Sequence, residues 1–173
     1  MWVDFVKQYP ILSAMVQFAV LGTVGELLGS AIRKGKFSLF SFKITVGKML
    51  IWAILAVMIK YAFVGFTGFV HELVAHQMLP DFFLPFFISA FMNSLFGPVL
   101  IFSHRAMDNL LERKRNWKGI KGAILTLLWF WIPAHTITFL LPSLWQITLA
   151  ACWSVVLGLI LGFFNREKPS EKK

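Results

Sequence analysis

The 173-residue sequence has one cysteine, Cys152. An intrachain disulfide is therefore excluded, and so is a thiolate metal cluster. Acidic residues are scarce: 8 Asp and Glu stand against 17 Lys and Arg, and charged residues total 14%. That total is far below the ~25% of a typical soluble domain. There is no glycine-rich phosphate loop, no acidic metal motif and no Ser/His/Asp set at a recognisable spacing. An enzyme thus has little to stand on, and neither a cofactor nor a metal is expected. What is abundant is hydrocarbon. Apolar residues make up 58% of the chain and mean hydropathy is +0.72, a composition that would aggregate in water.

Five apolar runs reach the ~20 residues a helix needs to cross a bilayer core. They cover residues 11–32, 44–66, 82–103, 119–141 and 143–164. The expected fold is all-α, a single polytopic helical membrane bundle of five transmembrane helices over residues 1–164, followed by a polar cytoplasmic tail at 165–173. The first run has no basic segment before it and is long enough to span, so it reads as a retained span and not a cleaved signal.

All but two of the Lys and Arg residues fall in three clusters. Arg33, Lys34, Lys36, Lys43 and Lys48 separate the first two runs; Arg105, Arg113, Lys114, Arg115, Lys118 and Lys121 separate the third and fourth; Arg166, Lys168, Lys172 and Lys173 lie in the tail. Residues 67–81 and 141–143 carry none. By the positive-inside rule all three clusters are cytoplasmic, which gives an outside N-terminus, an inside C-terminus and, most simply, a bacterial plasma membrane. Basic residues at helix ends are topology anchors and contacts for anionic lipid headgroups; they do not form a nucleic-acid surface.

Residues 66–80 place Phe66, Phe69, Val70, Leu73, Val74 and Met78 at helical spacing, with His71, Glu72, His76 and Gln77 between them. This pattern predicts a separate amphipathic helix lying in the outer interface. His71 and His76 are five apart and miss the shared face of a zinc pair; Glu72 and His76 at i,i+4 read as a surface pair. Pro98 and Pro133 lie inside apolar runs and free backbone carbonyls, which either marks kinks that face protein or a cavity or reflects only that proline is common in spanning helices. Only Pro142 separates the last two runs, so these form a tight hairpin. In the fifth run Ala150, Ser154, Gly158 and Gly162 recur every four residues, a packing stripe for use inside the bundle or between protomers of a homo-oligomer. Cys152, in the same run, reads as a small packing residue.

An ionisable side chain within a span marks a site or a buried pair. Glu26 is flanked by Gly22, Gly25, Gly29 and Ser30 and so faces another helix. Two readings stand: an ion pair with Lys48, which lies at comparable depth, or a position lining a solute or proton path. Lys60 snorkels to the outer interface or serves a path. Asn93 and His135 either form interhelical hydrogen bonds or line the same route. Glu26, His104, Asp108 and His135 come from different parts of the chain, and an intramembrane enzyme would need them to converge.

Two stretches carry a resemblance. Gly97-Pro98-Val99 with His104-Arg105 and Asp108, and the run Trp131-Ile132-Pro133-Ala134-His135-Thr136-Ile137-Thr138-Phe139-Leu140-Leu141-Pro142, resemble the peroxisomal membrane protein family that includes the mitochondrial-DNA-maintenance inner-membrane protein, in the manner of its prokaryotic members. Gly25-Glu26 stands where the family has Gly-Asp, and Trp153 matches its late tryptophan. Ser103 and His104 depart from the family's aromatic pair, Thr138 from an Asn, and Gln146 from an Arg. The likeness covers about half the chain in patches. It implies a small integral membrane protein, with some members described as channel-forming, and it singles out Gly25, Glu26, Gly97, Pro98, Asp108, Pro133, Phe139 and Pro142. Together these readings give a channel or permeation path for small solutes, or alternatively a structural or lipid-interacting membrane protein without transport.

Overall fold

The computed structural model describes residues 2–164. The expected tail at 165–173, with its basic cluster, lies outside the described residues. A short helix, Trp2–Gln8, leads into five helices long and apolar enough to cross a membrane: Pro10–Lys34, Phe42–Ala75, Asp81–Leu111, Ile120–Leu140 and Ser143–Phe164. The first of these starts on Pro10, whose missing N–H costs nothing in a first turn. It stops at Gly35, which adopts the left-handed φ of 65° and returns its N–H to the Ile32 carbonyl at 3.2 Å.

Residues 66–75 do not form a separate interfacial helix. They continue the second span without a break to Ala75, and Val70 is completely buried. The helical spacing was real, but Phe66 and Val70 pack on the bundle instead of lying on lipid. At the turn His76 Nε2 and Glu72 Oε2 are 3.9 Å apart and exposed, a loose surface pair.

Each span packs on its predecessor and successor, and the fifth returns to the first, so the five close into a ring. The closing contact is parallel. Gly25 abuts the Ser154 backbone, Gly29 that of Gly158, and Gly162 that of Gly29. A Cβ on Gly25 would lie 2.7 Å from the Ser154 carbonyl oxygen, and one on Gly162 would lie 2.6 Å from that of Gly29. Only glycine permits this approach. The stripe of the fifth span is therefore used within the chain. Cys152, on the opposite side of that helix, is exposed and is not the packing residue its size suggested.

Pro98 and Pro133 each follow a π-helical turn, at Met92–Phe96 and Leu127–Trp131. The widened turns free backbone carbonyls that side chains then engage. Ser89 Oγ donates to the Ile132 carbonyl at 2.7 Å, and Thr136 Oγ1 donates to the same oxygen at 2.7 Å. Gly97, between one π turn and Pro98, admits the Leu127 side chain from the facing helix.

Away from the basic turns the ring is filled. Phe18, Phe63, Met92, Phe139 and Ala150 pack into one buried cluster drawn from all five spans. Toward the basic turns it is hollow.

Candidate functional site: a charged cluster beside an intramembrane cavity

Three helices contribute pairs at i,i+4, the spacing that stacks side chains on one helical face. Gly22 and Glu26 come from the first span, Lys48 and Trp52 from the second, and His104 and Asp108 from the third. The Trp52 ring packs over Gly22, where no side chain intervenes.

Lys48 is buried and its ammonium bonds to Glu26 Oε2; it also reaches Asp108 Oδ1 at 3.0 Å. Trp52 Nε1 donates to Glu26 Oε1 at 2.7 Å, and His104 Nε2 lies 3.0 Å from the same oxygen. Both Glu26 oxygens are thus engaged. An ionised carboxylate is costly away from water unless paired and hydrogen-bonded, and Glu26 has both forms of compensation. The Phe40 ring lies 5.5 Å from the ammonium.

Glu26, His104 and Asp108 bring potential metal-ligating atoms within 4.8 Å of one another. The Lys48 ammonium already lies between the two carboxylates, where it supplies the compensating charge a metal ion would bring. A divalent ion would have to displace it, so the donor set fits an ion pair better than a metal centre.

A second polar group lies deeper. Asn93 Nδ2 donates to the Ser89 carbonyl at 2.8 Å and lies 3.2 Å from His135 Nδ1. Trp131 stacks on the His135 ring with centroids 5.0 Å apart. No described residue bonds the other ring nitrogen of His135.

The two groups border one cavity of about 270 Å³ that receives residues from all five spans. Glu26 and His104 line it toward the basic turns, Asn93 and His135 toward the filled core. Between them the wall is hydrocarbon from Leu55, Ile59, Leu100, Leu127 and Leu157. The fourth and fifth spans meet chiefly through Ile132–Leu140, next to the Pro142 turn. Farther down, Ala123 and Leu161 face the cavity instead, and it is partly open.

The expected residues divide cleanly. Glu26 pairs with Lys48, as the ion-pair reading has it, and it also borders the cavity. Asn93 and His135 hydrogen-bond and also line it. Lys48 is buried behind Glu26, and neither it nor Lys60 lines the cavity. Glu26 and His104 converge within hydrogen-bond reach, whereas His135 lies in the other group.

Of the residues singled out by resemblance, Glu26 and Asp108 meet at Lys48, Gly25 makes the ring-closing contact, and Gly97 admits Leu127. Pro98 and Pro133 follow the π turns, Pro142 makes the hairpin, and Phe139 joins the core. Trp153, the late tryptophan, donates to Thr138 Oγ1 at 3.1 Å. Trp52 was not anticipated, and its only signal was the i,i+4 relation to Lys48.

The fold and the five apolar helices define the class: an all-α integral membrane protein with a polar-ended cavity inside its bundle. No family model, curated protein or solved structure matches the chain.

Proposed function

We propose that the protein passes small solutes across a membrane by way of the cavity within its five-helix ring. The observation that carries this reading is the enclosure of one cavity by all five spans, with Glu26, Asn93 and His135 on its wall. The filled core on the other side means that passage requires movement of the Phe18, Phe63 and Phe139 layer. The protein is then a gated path and not an open pore. The patchy resemblance to the peroxisomal membrane protein family, some of whose members are described as channel-forming, supports a permeation role. The basic clusters support an outside N-terminus in a bacterial plasma membrane.

No reaction is assigned to the converged Glu26 and His104, because the lone pairs a general base would use already hold Lys48, Trp52 and His104. A homo-oligomer remains part of the proposal, although the small-residue stripe does not supply its contact.

Flux of graded small solutes into liposomes containing the protein tests the reading. Wild type is expected to exceed empty liposomes; equal rates sink it. Full engagement of the Glu26 carboxylate favours one rival, a structural or lipid-interacting protein whose polar residues only lock helices. Glu26→Gln separates the two. Flux should change in the folded variant if the cavity conducts, whereas only stability should fall under the rival.

A further inference from the structure

The cavity is long as well as apolar. Along the third span its wall runs from Met92 to Arg105, thirteen residue steps and hence ~20 Å of helix. A volume of about 270 Å³ spread over that length makes a narrow slot, at the small end of ligand pockets. A slot of this shape admits one extended hydrocarbon chain and excludes a two-chain phospholipid.

Charge at the end nearer the basic turns selects the headgroup. Glu26 and Asp108 are both paired with Lys48. Arg105 lines the same end and makes no ion pair with any described residue. Among the described residues the charges of Glu26, Asp108, Lys48 and Arg105 sum to zero, but the Glu26 carboxylate on the cavity wall is already bonded to Lys48, Trp52 and His104, whereas the Arg105 guanidinium beside it is bonded to no described acid. A guanidinium in that position suits a carboxylate or phosphate, which it can hold with two parallel hydrogen bonds. The fourth and fifth spans make few contacts below Ile132, where Ala123 and Leu161 both line the cavity.

We infer that the slot binds a single-chain anionic amphiphile, headgroup on Arg105 and chain running past Leu100 and Leu127 toward Trp131. This rests on the cavity proposed above as a permeation path and names the class of solute that it takes. The carboxylate of a fatty acid and the phosphate of a single-chain lipid share the required chemistry.

Dodecanoic acid brominated at its last carbon is the probe, because bromine quenches tryptophan on contact and Trp131 lines the far end. In nanodiscs, wild type should show saturable quenching that is absent in Trp131→Phe. The bromododecanol analogue should bind at least tenfold more weakly. Arg105→Gln should weaken the acid about tenfold and leave the alcohol unchanged, with an unaltered melting temperature. Ala123→Trp should fill the slot and abolish the saturable component; if that variant does not fold, Arg105→Gln carries the test. Unbrominated dodecanoic acid and dodecyl phosphate then compete against the probe. Either anion displacing it better than dodecanol supports the inference, and the stronger one names the source. Acid and alcohol binding equally, or quenching that never saturates or persists in Trp131→Phe, would overturn it. Solute flux without chain binding defeats this inference alone; saturable chain binding without flux defeats only the permeation reading.

Discussion

Lys48 holds Glu26 and Asp108 together across three helices, bonding to the first and lying 3.0 Å from the second. Removing the cation leaves two carboxylates facing each other in a site with little water. Breaking a buried pair from one side costs about 3–5 kcal/mol, so Lys48→Met should lower the unfolding midpoint by that equivalent. Adding Glu26→Gln should restore part of the loss, with a coupling energy of about 1–3 kcal/mol in a double-mutant cycle. Strict additivity of the two changes would show that the pair is not energetically linked.

The parallel contact between the first and fifth spans predicts a sharp contrast among glycines. Gly29→Val forces a side chain toward the Gly158 backbone and should destabilise by at least about 1–3 kcal/mol, the usual cost of overpacking. Gly65 has nothing within 4 Å of where a Cβ would sit, so Gly65→Ala should change stability by less than about 0.5 kcal/mol. Equal losses in detergent unfolding would argue against the close approach.

Asn93 and Ser89 engage the fourth span where its helix widens. Asn93→Leu removes bonds to the Ser89 carbonyl and to His135, and Ser89→Ala removes the bond to Ile132. Each should cost about 0.6–2 kcal/mol, the range for interhelical polar contacts in membranes. If the loss is absent while the helix content is unchanged, these bonds are not retained in the bilayer.

Topology has a direct readout. In a Cys152→Ala background, cysteines at Lys7 and at Lys118 should react with an impermeant reagent from opposite sides of sealed vesicles. The background change is needed because Cys152 is itself exposed on the fifth span. Labelling of both from one side would reduce the number of crossings to an even count between them.

The five spans were legible because hydrocarbon runs of bilayer length leave little choice of structure. The Glu26 and Lys48 pair was legible from depth alone, since both lie a few turns from the same connection. Trp52 and His104 were less visible. A tryptophan in a span reads as an apolar anchor, and its N–H acquires meaning only once Gly22 is seen to let the ring reach Glu26. Residues 66–75 misled because an amphipathic pattern records that one face is apolar without recording what covers it. Val70 is covered by protein. The ring order and the cavity were invisible, because both depend on the last span returning to the first, which no local pattern encodes.

That return also sets the order of assembly. During synthesis the Glu26, Lys48 and Asp108 contacts become available once three helices have been inserted. Gly25 and Gly29 must wait for residues more than a hundred positions later. Contacts so distant along the chain are slow to form. Until the fifth helix arrives, the glycine face of the first lies open to lipid or to any other small-residue helix nearby. A chain stopped at the Pro142 hairpin would keep its charge network and lose its wall, which makes the final helix the point at which biogenesis commits.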